Sequence, residues 1–247
     1  ASAEICELVQ KRGVLVIRGL DLDDEQQLAF TRTLGPVLDE KSGEVYKVTY
    51  DPKESPKLYF YTPGNFFWHI DRTDSDVPPF VSMLNARRLP LVGGDTEFAN
   101  TYAAYDALPD ADKALIENLK VIHKVEASFR FVPNLSEEQI AAFRAHEPKQ
   151  HPLVWRHRDG RKSLITSTSG IEVVGMGAAE GEALLQRMMD WATQPKFVYR
   201  HKWQLGDIVM WDNTGTMHKA QPYAEDSGRL LHRTTVLGDE PFDQAPA

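Results

Sequence analysis

The sequence predicts a mixed α+β fold, with a jelly-roll (double-stranded β-helix) core flanked by helices. Three observations lead there. Short runs rich in β-branched and aromatic residues recur down the chain, and irregular loops rather than regularly alternating helices separate them. The 247 residues are also enough for one domain, spanning 1–247, with a full core. Strict strand–helix alternation would instead have indicated a parallel doubly wound sheet.

Taken in order, Ala3 to Lys11 and Asp23 to Leu34 have helical spacing around a strand at Val14-Leu15-Val16-Ile17, and Gly35-Pro36 stops the second helix. Further helices are expected over Asp110 to Leu119, over Ser136 to Ala145 with a Ser136/Gln139 capping box, and over Ala178 to Thr193. Strands are expected at Phe80 to Asn85, Thr96 to Ala99, Val121 to Val125, Leu164 to Thr168, Phe197 to Arg200, Ile208 to Trp211 and Leu230 to Leu237. Gly175-Met176-Gly177 with Gly181 imitates a dinucleotide-binding loop. Its third glycine is one position late and no convincing strand precedes it, so it reads as the entry to the Ala178 helix.

Bulk properties exclude several functions. The 28 basic and 36 acidic residues give a formal charge of −8, which argues against a nucleic-acid surface yet allows local basic pockets for small anions. A single cysteine, Cys6, cannot build a disulfide framework and favours a reducing compartment. No run approaches the roughly 20 apolar residues of a membrane span. Glu4 and Glu7 stand where a signal peptide would be basic and then apolar, so a cytoplasmic location is expected. Neither a Gly-X-Ser-X-Gly elbow nor a Cys-X-X-Cys pair is present to carry nucleophilic chemistry.

His69-Ile70-Asp71 carries the strongest chemical signal, because period two puts a histidine and a carboxylate on one face of a strand, where they can share a metal ion. With 8 histidines and 19 aspartates, chance alone supplies about 0.6 such triplets. The second copy, His157-Arg158-Asp159, runs into Gly160 and is expected to be a solvated hairpin turn. His69 follows Asn65-Phe66-Phe67-Trp68, an aromatic run suited to a partly buried strand. A third ligand is needed. His146 and His151 sit at a helix end and a strand start, and His123 and His201 stand beside lysines in strands, where a half-buried, hydrogen-bonded imidazole is the commoner outcome. His218 follows the apolar strand Asp207 to Trp211 and the turn Asp212 to Gly215, a hairpin that turns it inward; a core histidine is the alternative. In Arg229 to Thr235, Arg229, Leu231, Arg233 and Thr235 share one face. If that face looks inward, the two arginines demand an anion, and a carboxylate is the natural partner; arginines on a solvated edge strand are the alternative, which a metal site next door disfavours.

Trp68-His69-Ile70-Asp71, Gly93-Gly94-Asp95-Thr96-Glu97-Phe98, the Trp211-Asp212-Asn213 to His218 segment and Arg229 through Arg233 together resemble the iron(II)- and 2-oxoglutarate-dependent dioxygenases of the taurine/2,4-dichlorophenoxyacetate dioxygenase family. The match runs from about Val14 to Phe242. The resemblance implies that His69, Asp71 and His218 bind Fe(II), and that Thr96 and Arg229 hold the distal carboxylate of the cosubstrate 2-oxoglutarate. It implies that Arg233 meets an acidic group of the substrate, and it puts Ser128 and Phe129 at the substrate loop. Two imidazoles and one carboxylate leave three metal positions, two for the keto acid and one for O2. Succinate and carbon dioxide would be released. With Asp71 in place the expected outcome is hydroxylation rather than halogenation, with cleavage where the attacked carbon bears oxygen, sulfur or nitrogen.

Phe66, Phe67, Phe131 and Trp155 are further pocket candidates, as is the small-residue wall Ser167-Thr168-Ser169-Gly170, which hints at a substrate larger than taurine. The stretch Lys41 to Gly64 departs from the taurine enzymes' substrate motif, which points to another small acid such as an aryloxyalkanoate or sulfonate. The expected partner is that substrate, with no nucleic acid or membrane, and the sequence is compatible with a homo-oligomer. Because the chain starts close to its first helix, an N-terminal strand common in the family is expected to be absent or not included. Two other functions compete. A zinc-dependent hydrolase or isomerase would use the same triad but leaves Arg229 and Thr96 without a partner, and a non-catalytic jelly-roll binding module would use none of them.

Overall fold

The computed structural model describes residues 2–38, 45–56 and 58–243. Along the chain run α1 (Ser2–Arg12), β1 (Val14–Ile17), α2 (Asp24–Leu34), β2 (Tyr46–Val48), β3 (Val81–Arg88), β4 (Thr96–Asn100), α3 (Thr101–Asp106), α4 (Asp110–Ile116), β5 (Lys120–His123), α5 (Glu137–Arg144), β6 (Lys149–Pro152), β7 (Val154–Arg156), β8 (Lys162–Leu164), β9 (Gly170–Val173), α6 (Ala178–Ala192), β10 (Val198–His201), β11 (Ile208–Asp212), β12 (Thr216–Ala220) and β13 (Leu230–Val236). A five-stranded sheet has the order β1-β11-β3-β13-β2, and a three-stranded sheet the order β10-β4-β12; all their pairings are antiparallel.

Period two in β11 explains how the layers stack. Val209 and Trp211 pack with Phe98 of β4, between the sheets, while Ile208 and Met210 pack with Val9, Ile5, Phe30 and Leu34 under α1 and α2. The fully buried Val9, Ile208, Val209 and Met210 each contribute about 1.5–3 kcal/mol relative to exposure. The same alternation in β13 turns Leu231 into the space between the sheets and His232 and Thr234 toward α2, where Gln27 and Thr31 hydrogen-bond Thr234. A third layer, β6-β5-β9 with α6, closes the far side.

The expected architecture and most elements are present, including the Ser136/Gln139 capping box of α5. Several expectations need correction. Asn65 to Trp68 is not a strand: a 3₁₀ turn covers Tyr59–Phe66, because Pro63 and Gly64 break extended pairing, and His69 joins the sheet only by an isolated bridge to His218. The expected strand at Leu164 to Thr168 ends at Leu164, since Ser167, Ser169 and Gly170 form a hydrogen-bonded turn. A strand, β9, does precede the Gly175 loop, but it belongs to an antiparallel sheet and so does not form a dinucleotide-binding unit. His157 lies in the predicted hairpin yet is buried, its ring against Trp155 and Tyr102 and its Nε2 2.8 Å from Ser163 Oγ. Of the Lys41 to Gly64 stretch, residues 41–44 and Lys57 lie outside the described residues. No helix among the described residues is long and apolar enough to cross a membrane.

Candidate active site

His69 and His218 exchange both backbone hydrogen bonds of their bridge, at 3.0 and 2.9 Å, which brings their rings to 4.2 Å between centroids. Asp71, at the start of the following turn, completes the group. One ligand atom from each of the three residues lies within 4.8 Å of the other two. His69 Nδ1 is 2.8 Å from the Phe67 carbonyl, which can only accept, so Nδ1 carries the proton and Nε2 keeps a free lone pair. His218 Nε2 faces Asp71 Oδ1 at 3.8 Å. Burial pushes both imidazoles below their usual pKa range, that of His218 well below. Burial would raise the Asp71 carboxyl, but Arg233 above all, then His218, His69 and Ser82, override it and hold the carboxyl at about 2. The result is two neutral imidazoles and one carboxylate, the donor set that suits a divalent transition metal.

The triad's histidines open onto a cavity between the sheets that is also lined by Thr96, Arg229, Arg233, Asn65, Trp211 and Tyr223. Arg229 is 2% exposed. Its Nη2 donates to the Gly94 carbonyl at 3.0 Å, its guanidinium stacks on Tyr223 at 4.6 Å, and its buried Nε has no hydrogen-bond partner. Among the described residues it makes no ion pair. Gly94 permits this placement: it has φ +76°, and a Cβ there would stand 3.0 Å from Arg229 Nε and 2.8 Å from Pro90. Thr96, in the same lining, accepts from Trp203 Nε1 on its Oγ1 at 3.0 Å, which leaves its own proton to be donated elsewhere.

Arg233, the other inward arginine, donates to Asp71 Oδ2 at 2.6 Å and to Ser82 Oγ at 3.1 Å. It therefore sits between the carboxylate of the triad and the cavity. Phe129 stands elsewhere: its ring stacks on Phe143 at 3.8 Å and lies against Gly64, so it does not line this cavity, and neither does the preceding Ser128. The physical reason is local, because the 3₁₀ turn Val125–Phe129 points the ring into the aromatic cluster with Tyr61. Phe66, Phe67, Phe131, Ser167, Thr168 and Gly170 line a second, open cavity that shares no lining residue with the first. Trp155 is core, packed on Phe242. His123, His151 and His201 are buried and hydrogen-bonded rather than ligating, more deeply than half-buried strand positions would be. Sequence reasoning did not single out Ser82, Trp203, Asn65 or Tyr223 for the site. Nothing in a single sequence separates these from ordinary core or loop residues.

The sequence profile described as "Taurine catabolism dioxygenase TauD, TfdA family" matches residues 1–235. The alpha-ketoglutarate-dependent 2,4-dichlorophenoxyacetate dioxygenase of Cupriavidus pinatubonensis is 36% identical over 254 residues, covering 96% of this chain and 88% of that protein. The (S)-phenoxypropionate/alpha-ketoglutarate-dioxygenase of Sphingobium herbicidovorans is 32% identical, over 95% of this chain and 85% of its own length. The crystal structure of AAD-2 in complex with Mn(II) and N-oxalylglycine superposes with a TM-score of 0.87 at 36% identity, covering 99% of this chain and 90% of that one. With its triad, its buried arginine and a profile match over most of its length, the chain belongs to the TauD/TfdA family of dioxygenases.

Proposed function

We propose that this protein is an Fe(II)- and 2-oxoglutarate-dependent dioxygenase that hydroxylates a small organic acid, with His69, Asp71 and His218 as metal ligands. The observation that carries the reading is Arg229, a buried guanidinium without an ion pair among the described residues, in the same cavity as the triad. A buried charge of this kind is costly unless an anion meets it. The distal carboxylate of 2-oxoglutarate supplies that anion, paired with Arg229 and accepting a hydrogen bond from Thr96. A zinc hydrolase would need the triad but not Arg229. N-oxalylglycine, found with Mn(II) in the related AAD-2 structure, is 2-oxoglutarate with an N–H in place of one CH2.

Bound metal, with 2-oxoglutarate and O2, supplies the oxidative decarboxylation that yields succinate and carbon dioxide and drives hydroxylation of a C–H bond. The chain's own residues orient and exclude. Arg229 and Thr96 fix one end of the keto acid, the neutral imidazoles donate lone pairs, and Val48, Leu84 and Leu231 supply the apolar part of the wall. Arg233 is the cation available to an acidic substrate, and the relatives named for aryloxyalkanoates support a substrate of that class. Anaerobic addition of Fe(II) and 2-oxoglutarate is expected to give a weak visible charge-transfer band, and O2 with a suitable acid to release succinate. Absence of both the band and O2-dependent succinate across a panel of aryloxyalkanoates, sulfonates and sulfate esters would refute the proposal.

A further inference from the structure

The Trp211-Asp212-Asn213 segment contributes more than a turn. Asn213 is buried where β11 leaves its sheet, and its backbone N–H is fixed on the Phe80 carbonyl at 2.9 Å, beside the start of β3. Its side chain has a defined direction. Oδ1 accepts from Trp211 Nε1 at 2.8 Å, and an indole N–H can only donate, so the amide nitrogen must face the other way. That nitrogen donates to Ser82 Oγ at 2.9 Å. Arg233 Nη2 donates to the same oxygen at 3.1 Å. With both lone pairs of the hydroxyl occupied, its one proton goes to Asp71 Oδ2, 3.0 Å away.

We infer that Trp211, Asn213 and Ser82 form a one-way hydrogen-bond relay that holds Asp71 to a single metal-facing oxygen. The inference rests on the reading of His69, Asp71 and His218 as the metal ligands. Oδ2 accepts from both Ser82 and Arg233 and is turned away, which leaves Oδ1 on the side of His218 Nε2. A carboxylate that gave both oxygens to the metal would take a position needed for the keto acid or O2. Arg233 is also the cation an acidic substrate would engage, so it cannot by itself be a constant partner of Asp71. Ser82, held by Asn213, faces no such competition: it is fully buried and absent from the cavity lining. Ser82 and Asn213 are thus positioning residues acting through Asp71.

The test uses the full chain, stripped of metal by chelation and titrated anaerobically with Co(II), whose visible d–d absorption reports coordination number. Ser82→Ala is expected to weaken Co(II) binding about 10-fold, the lower end of the range for loss of an outer-shell partner, and to lower the d–d intensity as Asp71 supplies a second oxygen. Asn213→Ala is expected to move both readouts in the same direction by less. In the Ser82→Ala background it should add nothing further, because the relay is already cut. Wild-type affinity and spectrum in Ser82→Ala, or additive effects of the two substitutions, overturn the relay. Should either variant fold poorly by thermal melting, the other and its spectrum decide alone. Asp71→Ala that binds Co(II) as tightly as the wild type overturns the ligand assignment and the relay with it, and is recognisably a different failure.

Discussion

Arg229→Met separates binding of the cosubstrate from stability of the fold. Methionine keeps most of the stem's volume and removes the guanidinium. In the ligand-free protein the loss is small, because Arg229 makes one hydrogen bond, to Gly94, and one stacking contact, with Tyr223, while its buried Nε is unpartnered. An unsatisfied buried donor costs about 1–3 kcal/mol, a sum similar to what the hydrogen bond and the cation–π contact contribute together. The variant is therefore expected to be as stable as the wild type to within about 1 kcal/mol, or roughly 2–4 °C in melting temperature. With 2-oxoglutarate bound the balance changes. Truncating one partner of a buried charge pair costs at least about 2–5 kcal/mol, so a loss near 3 kcal/mol, or roughly 100-fold in Kd, is expected. Anaerobic calorimetry with Mn(II) and 2-oxoglutarate measures it directly. Thermal shift gives a second reading: at 100 times the wild-type Kd the ligand stabilises the wild type by about 2.7 kcal/mol but the variant by only about 0.4 kcal/mol. A variant that binds 2-oxoglutarate within about threefold of the wild type, or that loses Mn(II) and 2-oxoglutarate equally, would show that the buried guanidinium serves something else.

Other expectations follow from neighbouring contacts. Trp203→Phe keeps the ring but removes the donor to Thr96, and should raise the KM for 2-oxoglutarate about fivefold, roughly 1 kcal/mol, with no change in Mn(II) affinity; an effect that persists undiminished in a Thr96→Ala background would contradict the link. Gly94→Ala forces a Cβ against Pro90 and Arg229 at positive φ, so 2-oxoglutarate binding should weaken while the triad still takes up Co(II); unchanged keto-acid binding would count against the placement of Arg229. Asp212 is fully buried, and burial, opposed by its hydrogen bonds from Thr214, raises its carboxyl from 3.8 to about 6. The unfolded chain ionises first, so this group's contribution is full below about pH 4 and is lost as pH rises toward 6. Asp212→Asn retains an acceptor for Thr214 but sets an amide NH2 where the buried Oδ2 has no partner, so its effect on stability should be about 2–3 kcal/mol more favourable at pH 7 than at pH 4; urea unfolding at the two pH values checks it, and equal effects at both would sink the assignment.

Much of this protein is legible in its sequence. Periodicity places β11 and its buried faces, the Ser136/Gln139 box marks α5 to the residue, and the alternation from Arg229 to Thr235 puts Arg229 and Arg233 on one face; both do line one cavity, although Arg229 precedes β13 and a register shift follows at Leu230/Leu231. These features are local, set by side-chain direction and capping chemistry over a few residues. The His69-Ile70-Asp71 triplet is also local, and the aromatic run before it sets it apart from its twin at His157, which runs into a turn.

Tertiary structure decided what locality could not. His69 meets His218 through a single bridge between segments about 150 residues apart, and that pairing turns a pair of candidate ligands into a triad that could hold a metal ion. Phe129, a reasonable pocket residue by position, is drawn into the cluster with Phe143 and Tyr61 because aromatic packing there outweighs its place in the chain. Ser82 and Trp203 look like ordinary core positions; they acquire roles because Asp71 and Thr96 are brought within hydrogen-bond reach from distant segments. The residue types of the reaction are written along the chain, while the direction of each proton in the site is set by contacts that exist only after folding.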